Sequence, residues 1–182
     1  RPGLRNYLGH VSSTMAELNQ LELVLGTKTR SGQQWDVWEA VFSPVGPDGY
    51  PQPIWNKQTG LIDAEVAKHW KEHYDLGYIL RREWSSLGPK LVGKIHLTAG
   101  THDQYFFANA ARYVGALLES TKDPHYAGTF ELGERFTHCY QGDPRQPVAI
   151  SSRTALQRQL PLMAARMTKT APSGADVKSW RY

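Results

Sequence analysis

The stretch VGKIHLTAGTHDQYFFANAARYVGALLE, residues 92–119, limits the possible folds more than any other part of the chain. Its apolar residues Ile95 and Leu97, with the flanking Val92 and Ala99, end at Gly100 and predict a strand that is buried on both faces. After a polar turn, apolar residues recur at three- and four-residue steps, which predicts an amphipathic helix. The expected buried face of that helix consists of Tyr105, Ala108, Ala111 (or Arg112), Gly115 and Leu118. A buried strand followed by a turn and a helix is typical of α/β proteins.

The polar turn carries Asp103, which would leave the carboxyl end of the predicted strand. Ligands and catalytic groups of open α/β sheets lie at the carboxyl ends of strands, so Asp103 is a candidate for chemistry. Aspartate is also a favoured N-cap residue, and at this position it could simply cap the next helix. Position alone leaves both interpretations open.

Composition describes an ordinary globular chain. It has 182 residues, of which 40% are hydrophobic and 21% charged, and no apolar run approaches the length of a membrane span. The formal net charge is only +4 and the Lys and Arg residues are scattered, which does not favour a nucleic-acid surface. We therefore expect a soluble protein with no membrane or nucleic-acid partner, and leave the compartment open, with secretion or the periplasm among the options. The single cysteine, Cys139, excludes an intrachain disulfide and is expected to be a small buried residue.

The elements before the central stretch follow from periodicity and breakers. Residues 1–12 are expected to be irregular, because Pro2, Gly3 and Gly9 interrupt any period. Further along, the sequence predicts a helix that is capped by Ser13 or Thr14 and runs to Leu25, with a strand at 21–25 as the alternative. A short helix before Pro44 and a Pro/Gly-rich ordered excursion at 44–60 follow. Two more helices are expected, one capped by Asp63 and running to Tyr74 and one from Leu76 to Leu87.

The elements after the central stretch complete the pattern. A strand is expected around Phe130 and Leu132, followed by a loop at 133–143 that projects His138. The last expected helix covers 150–167, with Pro161 as a kink or a second start and with Leu156, Leu160, Met163 and Met167 on one stripe. Residues 1–170 are thus predicted to belong to one domain and residues 171–182 to a polar tail.

The order of these elements predicts a specific architecture. A strand, an acid-bearing turn, a helix, a strand and a histidine-bearing loop form the closing half of an α/β-hydrolase sheet, whose catalytic residues follow in the order Ser, Asp or Glu, His. In such a triad, a carboxylate orients an imidazole that takes the proton of the serine. Asp103 and His138 fit the acid and the base, although one acid and one histidine at this spacing equally suit a helix cap and a surface loop.

Four runs carry a family resemblance: ELVLGTKTRSGQQWDVWEAVFSPVGPDGYPQPIWNKQTG, VAKHWKEHYDLGYIL, LGPKLVGKIH and RFTHCYQGD. They resemble, in order, the C-terminal half of a family of esterases in the α/β-hydrolase superfamily, similar to the esterase-D and enterochelin-esterase group. The resemblance implies the C-terminal part of a three-layer α/β-hydrolase sheet that is incomplete in this chain. It also implies that Asp103 is the triad acid and His138 the base, while His102 is not the catalytic histidine.

The nucleophile of such an enzyme is absent from the sequence. Catalytic serines of this superfamily lie in a Gly-x-Ser-x-Gly turn, and no serine of the chain has that context. The chain also begins at Arg1, without an initiator methionine or a signal-peptide pattern. We therefore expect part of a serine esterase for small esters, completed by a missing N-terminal half, by a second chain that carries the nucleophile, or by a second copy.

Other functions have weaker support in the sequence. His69 and His73 stand one helical turn apart but lack the Glu of a metalloprotease motif, so a solvated helix face is favoured and neither a metal nor a cofactor is expected. The missing nucleophile and the aromatic residues Tyr50 and Trp55 also suit a non-catalytic protein that binds a carbohydrate or a partner. A structural subunit of a larger assembly is the third alternative.

Overall fold

The structure is a computed structural model and describes residues 1–145 and 152–177 of the chain. In these residues the fold is mixed α/β, with two small sheets and six helices. The strands are β1 (Pro2–Arg5), β2 (Val11–Thr14), β3 (His96–Gly100) and β4 (Thr129–Gly133). The helices are α1 (Met15–Leu25), α2 (Gln34–Phe42), α3 (Ala64–Tyr74), α4 (Leu76–Leu91), α5 (Phe107–Ser120) and α6 (Ser152–Thr170).

The predicted strand–turn–helix stretch forms β3 and α5. Along α5, Ala108, Ala111, Gly115 and Leu118 are buried, which confirms the predicted helix face apart from Tyr105, which precedes the helix. The prediction that β3 is buried on both faces is wrong, because His96 and Thr98 are exposed.

The pairing of β3 with β4 and the packing of α5 explain why only one face of β3 is covered. β3 and β4 pair in parallel, with Leu97 opposite Phe130 and Gly100 opposite Gly133. The Phe130 ring packs against Gly115 of α5, where an added Cβ would overlap the ring. The helix therefore covers the face that carries Leu97 and Phe130, and the alternate side chains point away from it.

The amino-terminal residues are not irregular, contrary to the sequence prediction. β1 and β2 form an antiparallel pair, interrupted by register shifts around Leu4. Four-residue strands with two register shifts leave no clean alternation of apolar and polar residues, which explains why the pattern was missed.

The helices follow their predicted starts closely. Thr14 caps α1 in a capping box with Glu17, so the strand alternative for residues 21–25 is wrong. Asp63 caps α3 by accepting the backbone N–H groups of Glu65 and Val66, as expected. The helix predicted to end at Leu87 instead continues to Leu91 and includes Pro89 in its last turn. Proline there removes only the one helical hydrogen bond that its own N–H would have donated.

The last helix runs through Pro161 without a second start, and its predicted stripe of Leu156, Leu160, Met163 and Met167 is more than half exposed. The predicted beginning of this helix at 150–151 and the end of the predicted polar tail, 178–182, lie outside the described residues. In the part of the chain that the structure describes, no helix has the length and hydrophobicity to cross a bilayer.

The Pro/Gly-rich excursion at 44–60 is ordered, as predicted. Isolated β-bridges join Val45 to Pro51 and Trp55 to Ile62. The Trp55 ring contacts Trp35 of α2 edge to face, with ring centroids 5.6 Å apart. The indole N–H of Trp55 also donates to the side-chain oxygen of Asn19 in α1, 3.2 Å away. The excursion is therefore packed on the first two helices.

Candidate functional site

The carboxyl ends of β3 and β4 bring the two predicted site residues together. Because the strands are parallel and in register, Gly100 and Gly133 end side by side and the loops that follow leave the same edge. Asp103 lies three residues beyond one strand and His138 five residues beyond the other. His138 Nδ1 and Asp103 Oδ2 are 2.6 Å apart.

Hydrogen bonds donated by backbone N–H groups hold the two loops against each other. The N–H of His102 donates to the carbonyl oxygen of Phe136 at 2.8 Å, and the N–H of His138 donates to Gln104 Oε1 at 2.8 Å. Gly100 makes this approach feasible, because a Cβ at that position would overlap the carbonyl of Phe136. The distance between acid and histidine is thus fixed by the backbone as well as by their own hydrogen bond.

The Asp103 carboxylate is 3% exposed and has partners on both oxygens. Oδ1 accepts the backbone N–H groups of Tyr105 at 2.8 Å and Phe107 at 3.2 Å, while Oδ2 faces His138. The N-cap of α5 is Phe106, so the interpretation of Asp103 as the cap of that helix is wrong. Its Oδ1 instead accepts N–H groups of the turn and of the first helical residue, while Oδ2 faces the imidazole. An ionised carboxylate can only accept hydrogen bonds, so this contact places the donated hydrogen on Nδ1 of a neutral His138. Nε2 then keeps its lone pair and is the nitrogen that can take a proton.

His138 lies between two aromatic rings and solvent. The Tyr105 and Phe107 rings lie 4.8 and 5.6 Å from the imidazole, centroid to centroid, and the His138 side chain is 40% exposed. Part of the imidazole is therefore accessible to a reactant. The neighbouring His102 is directed elsewhere, because its Nδ1 lies 3.1 Å from the carbonyl oxygen of Tyr7.

Arg5 is a site residue that the sequence did not reveal. From β1, its guanidinium donates to the carbonyl oxygens of Asp103 at 2.8 Å and Thr101 at 2.6 Å, and it stacks over the Phe106 ring at 4.7 Å. Arg5 thereby ties the amino-terminal hairpin to the acid-bearing turn. A single arginine almost a hundred positions away carries no local signal for this role.

A second group of charged residues was also missed. The Lys57 ammonium lies 2.6 Å from Glu22 Oε2 and 3.8 Å from Glu39 Oε2, and it also contacts Asp36 Oδ1. All three acids are buried. Burial raises the pKa of Glu39 to about 7, an effect that the proximity of Glu22 reinforces and a hydrogen bond from the Ile54 N–H opposes. We call these four residues the Lys57 cluster.

The other residues singled out in the sequence are Cys139, the pair His69 and His73, and the aromatic residues of the excursion. Cys139 is exposed, so its expected burial is wrong; the loop carries it past the strand end, where little packs over it. The His69 and His73 rings lie 4.5 Å apart, and within residues 1–145 and 152–177 no three His, Cys, Asp or Glu side chains are arranged so that they could hold a metal ion. Lys28 and Arg30 stack on the Tyr50 ring, and Trp55 packs on Trp35, so both aromatic residues of the excursion have contacts within the chain.

Comparison with known proteins returned no match among protein-family models, curated proteins or solved structures.

Proposed function

We propose that this chain supplies the acid and the base of a serine esterase. The observation that carries the proposal is the 2.6 Å contact between the buried Asp103 carboxylate and His138 Nδ1 at the carboxyl ends of adjacent parallel strands. A buried acid, an accessible imidazole and their position at the strand ends are what a catalytic dyad of this kind requires. The architecture we propose for the complete protein is the three-layer α/β-hydrolase sheet, of which this chain forms the C-terminal part.

In the proposed reaction, a serine outside these residues attacks the carbonyl carbon of a small ester. Its hydroxyl proton passes to His138 Nε2, and the resulting imidazolium donates that proton to the departing alcohol. The acyl group then remains on the serine oxygen. A water molecule attacks this acyl-enzyme and gives a proton to Nε2, which returns it to the serine as the carboxylic acid leaves. Throughout, Asp103 keeps Nδ1 protonated and stabilises the imidazolium.

Exposed apolar surface supports a partner for the chain. In the described residues β3 and β4 pair only with each other, so both outer edges of their sheet are open to further strands. The exposed stripe on α6 is a second surface of this kind. We propose that the polypeptide with the nucleophilic serine adds strands to the β3–β4 sheet and covers exposed apolar surface such as the stripe on α6.

Ester hydrolysis by the complete protein tests the proposal. His138→Ala is expected to lower kcat at least about a thousandfold, because no general base remains for the serine. His102→Ala is the matched control, since its imidazole is adjacent in sequence to Asp103 but lies against Tyr7, and it is expected to retain activity. Equal rates for wild type and His138→Ala would refute the proposed role of the dyad.

A further inference from the structure

Arg5 binds three carbonyl oxygens of the turn that carries Asp103. Its guanidinium donates to the carbonyl oxygens of Asp103 at 2.8 Å and Thr101 at 2.6 Å. Its backbone N–H donates to the carbonyl oxygen of Gln104 at 3.1 Å. Thr101 and Asp103 are both buried, so their carbonyl oxygens need partners inside the protein. Loss of the guanidinium would take a donor from two buried acceptors, and the turn would have to shift to replace it.

The same turn is held from its other side by the end of β4 and the histidine-bearing loop. The N–H of Thr101 donates to the carbonyl oxygen of Gly133 at 2.9 Å, and that of His102 donates to Phe136 at 2.8 Å. These bonds fix N–H groups of the turn, whereas Arg5 fixes carbonyl oxygens. The amino-terminal hairpin and the histidine-bearing loop therefore clamp the turn between them.

A residue with unfavourable backbone geometry makes the turn dependent on this support. Phe106, the N-cap of α5, has a φ of 63°, in the left-handed region that bulky residues rarely adopt. Its ring lies under the Arg5 guanidinium, which is 4.7 Å from the ring centroid, and its N–H donates to the Asp103 carbonyl oxygen at 3.1 Å. Arg5 therefore stabilises Phe106 by a cation–π contact and shares an acceptor with it.

The position of the Asp103 carboxylate depends on this backbone. Oδ1 accepts the N–H groups of Tyr105 and Phe107, and Oδ2 lies 2.6 Å from Nδ1 of His138. A shift of the turn would therefore move Oδ2 relative to an imidazole that another loop carries. Misplacement of a catalytic group by about 1 Å can lower a rate about a hundredfold.

We infer that Arg5 is a positioning residue of the dyad, because it holds the turn so that Asp103 Oδ2 faces His138 Nδ1. Its effect on rate rests on the proposed ester hydrolysis, whereas its effect on the imidazole can be measured without a substrate. The inference makes the amino-terminal hairpin necessary for the site, although the hairpin supplies no group that touches the reacting atoms.

The tautomer of His138 tests the inference without catalysis. In the isotopically labelled complete protein, under alkaline conditions in which the imidazole is neutral, long-range proton–nitrogen NMR correlations show which ring nitrogen carries the hydrogen. We expect Nδ1 in the wild type, because the Asp103 carboxylate can only accept, and a shift toward Nε2 in Arg5→Ala. Arg112→Ala removes an exposed arginine of α5 that contacts Asn109 of the same helix, and is expected to keep the wild-type tautomer. A wild-type tautomer in folded Arg5→Ala would overturn the inference.

Hydrolysis of ethyl acetate by the complete protein tests the effect on rate. Arg5→Ala is expected to lower kcat about thirty- to a hundredfold with less than about a threefold change in KM, because the groups that contact the substrate remain. Added ethylguanidinium, which replaces the missing donors, is expected to raise kcat of this variant about tenfold, whereas ethylammonium of equal charge is not. A kcat of Arg5→Ala close to that of wild type, or equal recovery with the two ions, would overturn the inference.

Arg5→Lys replaces Arg5→Ala if the alanine variant does not fold. Lysine keeps the positive charge and the backbone N–H, but its ammonium cannot match two carbonyl oxygens in the way that the planar guanidinium does. This variant is expected to lower kcat about tenfold and to populate both tautomers of His138. Wild-type behaviour of Arg5→Lys in both measurements would overturn the inference.

The two measurements together distinguish the positioning role from the proposed reaction. If esters are hydrolysed and the Arg5 variants keep the wild-type kcat and tautomer, the positioning role fails and ester hydrolysis stands. If no ester is hydrolysed while His138 carries its hydrogen on Nδ1 in wild type and not in Arg5→Ala, ester hydrolysis fails and the positioning role remains.

Discussion

At the scale of single residues, Asp103 joins local structure to the candidate chemistry. One oxygen accepts two backbone N–H groups at the start of α5 and the other faces His138 Nδ1. The same side chain therefore stabilises the turn and sets the imidazole. Sequence reasoning set a helix cap against a catalytic role because position alone does not show that the two oxygens can have different partners.

Asp103→Asn is expected to lower kcat for ester hydrolysis about a thousand- to ten-thousandfold in the complete protein. The amide keeps an oxygen for the backbone N–H groups, but its NH₂ group would donate to Nδ1 of His138. The imidazole would then carry its hydrogen on Nε2, and Nε2 could no longer take the proton of the serine. Steady-state kinetics give the change in kcat. Asp63→Asn is the matched control, because the Asp63 carboxylate also accepts two backbone N–H groups but contacts no histidine in the described residues. Activity within tenfold of wild type for Asp103→Asn would contradict the assigned role.

The raised pKa of Glu39 predicts how the stability of the fold depends on pH. Its pKa is about 7 in the folded protein, above the ordinary value near 4.5 of an unfolded chain, so the folded state binds the proton more tightly. The associated stability is fully present below about pH 4.5 and is lost as pH rises through about 7. Glu39→Gln, which stays neutral, is expected to gain on the order of 2 kcal/mol in free energy of unfolding over wild type at pH 7.5 and almost nothing at pH 4.5.

Urea denaturation at the two pH values measures this difference. Glu65→Gln, on an exposed position of α3, is the control and is expected to follow the wild-type profile. A Glu39→Gln profile parallel to that of wild type would mean that folding leaves the pKa of Glu39 unchanged, contrary to the assignment.

At the scale of elements, the Lys57 cluster joins the excursion at 44–60 to α1 and α2. Lys57 comes from the excursion, Glu22 from α1, and Asp36 and Glu39 from α2. The sequence predicted an ordered excursion but not this attachment. Acidic residues on amphipathic helices are usually solvated, and no local pattern shows that a lysine many residues later lies over them.

Lys57→Met is expected to lower the free energy of unfolding by about 3–5 kcal/mol at pH 7.5, because it leaves buried carboxylates without their cation. Chemical denaturation gives the magnitude, and limited proteolysis is expected to show new cleavage within residues 44–60. Lys28→Met removes a lysine whose ion pair with Asp48 is half exposed, and a loss below about 1 kcal/mol is expected. Equal losses for the two variants would show that the Lys57 cluster does not stabilise the fold.

Other elements show which features were predictable. The parallel pair β3–β4, α5 and the meeting of Asp103 with His138 follow from the order strand, turn, helix, strand, loop, because parallel strands end at one edge. The β1–β2 hairpin and the contacts of Arg5 were not predictable. They depend on short irregular strands and on partners almost a hundred residues away in the sequence.

At the scale of the whole molecule, the described residues place the Asp103 carboxylate against the His138 imidazole at the edge of a sheet of two parallel strands. Large apolar side chains remain exposed on several elements, with Val24, Val45, Leu61 and Tyr113 each at least 72% accessible. Such surface supports the proposal that a polypeptide carrying the serine completes both the sheet and the site. The contacts of such a polypeptide could not be predicted from this sequence, because an interface with another chain leaves no periodic pattern of its own.

Covalent labelling of the native protein by a fluorophosphonate, followed by mass-spectrometric identification of the modified peptide, tests the central claim most directly. We predict a single modified serine in a Gly-x-Ser-x-Gly context outside the 182 residues, with labelling lost in the His138→Ala variant. Labelling that is absent from the complete protein, or that is unaffected by His138→Ala, would contradict the proposal that Asp103 and His138 activate a catalytic serine.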